Sequence, residues 1–96
     1  MGNGIRIKFS TGALKFLDSA PQKDANRIQK KIKFLHNYIV QTNKLPYRET
    51  DLKNLSGEWE GFQRLRTGSV RIIFKYSYKE KELLIYGIDY RGNVYK

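Results

Sequence analysis

The stretch GFQRLRTGSVRIIFKYSYKEKELLIYGIDY, residues 61–90, decides how this chain folds. It divides into three runs rich in β-branched and aromatic residues, at 61–67, 70–78 and 83–90, separated by Gly68-Ser69 and by the charged KEKE turn. RIIFKYSY and ELLIYGI are too apolar to be solvated on both faces, so they are read as the central strands of a sheet. Two residues between the first pair of runs make a tight hairpin, in which Thr67 faces Val70 and Arg66 faces Arg71.

Upstream, IRIKF at 5–9 alternates Ile5, Ile7 and Phe9 with Arg6 and Lys8, the period of a strand buried on one face. Ser10 or Thr11 then caps a short helix whose apolar side is Ala13, Leu14, Phe16 and Leu17. Pro21 ends that helix and opens another of about five turns, on which Ala25, Ile28, Ile32, Leu35 and Ile39 form one apolar stripe. Its other face carries Lys23, Arg27, Lys30, Lys31 and Lys33. Two helices joined by so short a break are expected to pack antiparallel. QTNKLPYRETD, 41–51, reads as a polar loop. The expected class is α+β in the order β-α-α-β-β-β, with a helical hairpin packed on one face of a mainly antiparallel twisted sheet. At 96 residues it is one domain, 1–96.

Lysine and arginine number 19 against nine acidic residues, a formal net charge of +10, which points to a polyanion as partner and to nucleic acid first. Without cysteine there is neither a disulfide nor a thiolate metal site. No run approaches the ~20 apolar residues of a membrane span and no leader is recognisable, so the expected location is the cytoplasm, with no membrane partner.

Strand alternation from the tight turn puts Arg64, Arg66 and Arg71 on one face, with Leu65, Val70 and Ile72 on the other. Like charges directly opposite cost a few tenths of a kcal/mol to about 1. A second hairpin would bring Tyr90 or Arg91 close to Arg71. Guanidinium groups stay charged and present planar donors suited to phosphate oxygens, so an anion completing the site accounts for the cluster. The competing explanation is a solvated outer face.

LKNLSGEWEGFQRLRTGSVRIIFKY followed by LLIYGIDYRGNVYK resembles the RelE/ParE toxin superfamily, small basic partners in type II toxin–antitoxin pairs. The resemblance rests on Leu55, Gly57 and Trp59, on the Arg64–Arg71 run, and on the closing Arg91–Tyr95 segment. It implies a ribosome-dependent endoribonuclease that cuts mRNA in the A site without metal or cofactor, with the ribosome, mRNA and a cognate antitoxin as partners. By position, the family's basic pair is matched by Arg64 and Arg66, its next arginine by Arg71, its late arginine by Arg91 and its terminal tyrosine by Tyr95. The Arg-x-Arg pair departs from Lys-x-Lys, and arginine does not readily release a proton. The sister ParE branch acts on DNA gyrase, which leaves a gyrase inhibitor as an alternative, and a noncatalytic RNA-binding module is another.

Metal-independent cleavage uses the RNA's own 2′-hydroxyl as nucleophile. Arg71 and Arg91 are the candidates for stabilising the charge on phosphate. Tyr95 is the candidate base, with stacking on a nucleobase as its other role. Lys44, Arg48, Lys53 and Lys96 are candidate RNA contacts. The lone histidine, His36, falls on the second helix and reads as a surface or packing residue.

Overall fold

The elements follow in the order β1 (Arg6–Phe9), α1 (Thr11–Ser19), α2 (Gln22–Thr42), β2 (Asp51–Asn54), β3 (Gln63–Thr67), β4 (Val70–Ser77) and β5 (Glu82–Tyr90) in a computed structural model that describes residues 4–90. One 3-10 turn, Gly57–Trp59, links β2 to β3. The sheet runs β1-β5-β4-β3-β2, with β1 parallel to β5 and every other pair antiparallel. The α+β class and the mainly antiparallel sheet are as expected. An additional strand, β2, not expected from the sequence, begins at Asp51, the last residue of the expected loop, because Leu52 pairs with Leu65 and reaches the core from the sheet edge.

The apolar stripe of α2 behaves as its spacing requires: Ala25, Ile28, Ile32, Leu35 and Ile39 are all buried. They share one core with Leu52, Leu65, Ile72, Phe74, Leu83 and Ile85 from the sheet, and each fully buried large side chain contributes about 1.5–3 kcal/mol. Asn43 ends α2 in the left-handed conformation (φ 59°), its N–H bonding to the Ile39 carbonyl oxygen at 2.8 Å. Ala13 is the buried residue of α1, whereas Leu14, expected on the apolar side, is 53% exposed. The two helices do not close on each other. They leave a groove of about 760 Å³ lined by residues that include Ile7, Phe9, Leu14, Leu17 and Ile32.

β4 is buried on both faces in its middle, as its composition implied. Ile72, Phe74 and Tyr76 join the core under the helices, and Ile73, facing the opposite way, is also fully buried. The β4–β5 register slips here: Ile73 faces Gly87, but Phe74 faces Ile85. β5 therefore carries one extra residue, Tyr86, at a bulge. Tyr86 packs edge-on against Trp59 and Phe62, with centroids 5.4 and 5.5 Å away.

His36 Nε2 donates to the Ile5 carbonyl oxygen at 2.8 Å, so the histidine pins α2 to the residue before β1. It is a packing residue.

Ser10 joins the first helix to the bulge. Its hydroxyl accepts from the Ala13 N–H at 3.0 Å and donates to the Tyr86 carbonyl oxygen. Ser10→Ala removes a helix cap and that tie together, with an expected cost of about 1–2 kcal/mol in urea unfolding, and Ser10→Thr should restore most of it.

Candidate functional site

The tight hairpin forms as expected, with Thr67 opposite Val70 and Arg66 opposite Arg71. Gly68 has φ +63° and Ser69 does not have a positive φ, the pattern of a II′ turn with glycine first. Two-residue loops fix register, and with it which side chains share a face. Arg64, Arg66 and Arg71 accordingly lie on the face away from the helices, while Leu65, Val70 and Ile72 enter the core.

The three arginines differ in their surroundings. Arg64 is 8% exposed, and its Nη2 lies 3.3 Å from Asp51 Oδ1. It is thus a buried cation, not part of a solvated face. Arg66 is exposed, with Nε 3.6 Å from Asp51 Oδ2. Asp51 reaches both because β2 sets it directly opposite Arg66. Arg71 is half-buried and has no carboxylate within 4.0 Å among the described residues. Asp89 stands opposite it in the ladder, but Asp89 Oδ1 accepts the Tyr90 N–H at 2.7 Å. The Nε atoms of Arg64 and Arg71 are buried without a hydrogen-bond partner among the described residues. Buried donors of this kind are costly unless something accepts from them. Arg66, Gly68, Ser69 and Arg71 together line an open pocket of about 330 Å³.

Lys53 pairs with Arg64 in the ladder and so shares its face. Lys44 and Arg48 are exposed on the connection from α2 to β2 and do not line the arginine pocket. Arg91, Tyr95 and Lys96 lie outside the described residues. Tyr90 pairs with Val70 and places the end of β5 one residue along from Arg71. Its hydroxyl donates to Asp24 Oδ2 of α2 at 2.5 Å. That hydrogen bond, then burial and the charges of Asp24 and Asp89, holds the Tyr90 phenol above its ordinary range.

Sequence reasoning missed Asp51, the acid nearest the cluster. Its signal was the alternation in DLKN: Leu52 is the one apolar residue of the four, and if it points inward, its neighbours Asp51 and Lys53 point outward beside the arginines.

Neither protein-family models nor curated proteins give a match to this sequence. Solved structures do. An E. coli YafQ variant superposes with a TM-score of 0.73 at 20% identity, covering 97% of this chain and 100% of its own. The fold is that of the RelE-like toxins. An archaeal RelE from a RelE–RelB complex of Pyrococcus horikoshii OT3 gives a TM-score of 0.69 at 24% identity, over 93% of this chain and 97% of the other. The isolated E. coli RelE toxin gives 0.67 at 10% identity, over 96% and 89%. The RelE-like fold is thus shared across nearly the whole chain while few residues are.

Two outcomes follow from the site. Asp51→Asn leaves Arg64 buried without its anion and the facing arginines unscreened; an expected loss of about 1 kcal/mol, discounted for the half-exposed carboxylate, would lower Tm by roughly 4–8 °C in calorimetry. For Tyr90, the folded state favours the protonated phenol, so its contribution to stability is present below the ordinary pKa of 10.0 and is lost as pH rises through the higher folded value. Tyr90→Phe should therefore lose less stability than the parent between neutral and strongly alkaline pH, as read from urea midpoints.

Proposed function

We propose that this chain is the toxin of a type II toxin–antitoxin pair and acts as a metal-independent endoribonuclease on mRNA in the ribosomal A site. The observation that carries the reading is Arg71, a half-buried guanidinium with neither a carboxylate partner nor an acceptor for its Nε among the described residues, beside a pocket it lines with Arg66. The fold supports the same reading, since its structural neighbours include toxins crystallised with their antitoxins.

In the proposed reaction the 2′-hydroxyl attacks the adjacent phosphorus, the bond to the 5′-oxygen breaks, and a cyclic phosphate and a 5′-hydroxyl result. Arg71 donates to the nonbridging oxygens as negative charge builds, a role of about 3 kcal/mol for a preorganised donor. Arg66, exposed and only loosely paired, supplies a second set of donors. Arg64, buried against Asp51, orients that carboxylate and contributes positive potential from beneath. Arg91 completes the phosphate contacts, and Tyr95 serves as base or as stacking partner. Lys53 meets the RNA backbone on the same face, while Lys44, Arg48 and Lys96 extend that contact outward.

Primer extension on translated messages tests the reading. Ribosome-dependent stops within codons are expected for the parent, and Arg71→Ala should abolish them, a drop of 10²-fold or more, with Tm unchanged or raised because facing like charges are relieved. Arg71→Lys keeps the charge but loses the fork, and should recover only part of the activity. Binding to mRNA with no cleavage under any condition would leave the noncatalytic RNA-binding module in its place.

A further inference from the structure

α2 carries a second group of cations that the proposed reaction does not use. Lys23, Arg27, Lys30 and Lys31 recur at spacings of four, three and one, so they fall on one side of the helix. With Phe34 and Gly68 they line an open cleft of about 800 Å³ between α2 and the β3–β4 turn. None of the four has a carboxylate within 4.0 Å among the described residues. The one acid of α2, Asp24, is engaged by the Tyr90 hydroxyl.

Two further observations give this cleft a ligand class. Arg27 lies against the hairpin turn so closely that a Cβ at Gly68 would collide with its Nη1. Gly68 also lines the arginine pocket, so the α2 cleft and the Arg66–Arg71 pocket adjoin across a single residue. At the far end of the cleft Phe34 is 40% exposed, with the Lys31 ammonium 5.9 Å from its ring centroid. Unpaired cations along a groove with an exposed ring among them are what a single strand needs, phosphates on the charges and a base on the ring. An acidic peptide would use the cations and leave the ring idle.

We infer that the α2 cleft is a second RNA-binding site, which holds the sugar-phosphate backbone and a stacked base of a single-stranded segment continuing from the arginine pocket across Gly68. The inference rests on the reading of the chain as an RNA-acting protein, but binding tests it without cleavage.

The probe is a single-stranded RNA dodecamer carrying 2′-O-methyl groups throughout, which cannot be cut by 2′-hydroxyl attack. With full-length protein, Lys23→Gln, Lys30→Gln and Lys31→Gln together should weaken binding roughly tenfold and reduce the slope of log K against log salt by about two, at ~0.7 per phosphate contact. A control removing the same charge elsewhere, Lys15→Gln, Lys79→Gln and Lys81→Gln, should change the slope by less than half as much. Phe34→Leu should weaken RNA binding severalfold and leave binding of a polyglutamate dodecamer unchanged. Equal slopes for the two triple variants would overturn the site, as would polyglutamate binding more tightly than RNA with no response to Phe34→Leu, which would make the cleft a surface for an acidic protein. If the dodecamer results hold while translated messages stay intact, the nuclease reading fails and the binding site stands.

Discussion

Arg66 and Arg71 face each other across a two-residue turn, and the sheet has to accommodate that pair before anything else on this face can be arranged. The repulsion is up to about 1 kcal/mol for exposed groups and grows as the neighbouring backbone excludes water. Asp51 offsets part of it by lying within ion-pair distance of Arg64 and Arg66. One carboxylate against three guanidiniums leaves an excess, and the geometry concentrates that excess on Arg71. Asp89, the other acid close by in the ladder, gives one oxygen to a backbone N–H and makes no ion pair with Arg71. The face therefore stays electropositive at a defined position, where the Nε atoms of Arg64 and Arg71 are buried with no hydrogen-bond partner among the described residues. A phosphate bound beside Arg71 would offset that excess charge.

That position is stiff because the strand beneath it is buried twice over. Ile72 and Phe74 pack under the helices, and Ile73 is covered on the arginine face, so β4 has little freedom to twist or slide. The bulge at Tyr86 absorbs one residue of β5 without disturbing the pairing of Arg71 with Asp89. Catalytic donors are most effective when they need not reorganise as charge develops, and side chains on such strands are held more closely than side chains on loops. The rigid core and the proposed phosphate site are thus one piece of architecture.

The hairpin register was readable from sequence because a two-residue loop with glycine first leaves one way to pair the flanking strands. The α2 stripe was readable because five apolar residues keep the helical period for four turns. β2 was not, since Asp51, Lys53 and Asn54 are poor strand formers and only pairing with β3 makes that segment extended. Losing β2 meant losing Asp51, and with it the difference between Arg64 and Arg71. Leu14 misled for a related reason: periodicity says which side of a helix is apolar, but not whether a neighbour stands close enough to cover it. Here α1 and α2 diverge over a groove, and Leu14 borders it in the open.

The two cationic surfaces differ in chemistry as well as place. On the sheet the cations are arginines, whose planar donors recognise an anion in a fixed orientation. On α2 three of the four are lysines, point charges on flexible stems that suit a backbone in many conformations. The proposed division of labour matches this difference, with fixed recognition at the proposed cleavage site and adaptable attraction in the proposed second RNA site. Arg27 stands between them, the one guanidinium on the helix side of the cleft, laid over a turn where the positive φ of Gly68 favours glycine. Gly68 thereby sets both the register of the arginine pair and the junction between the two surfaces, so a demand that arises in the hairpin also decides how the helix meets it.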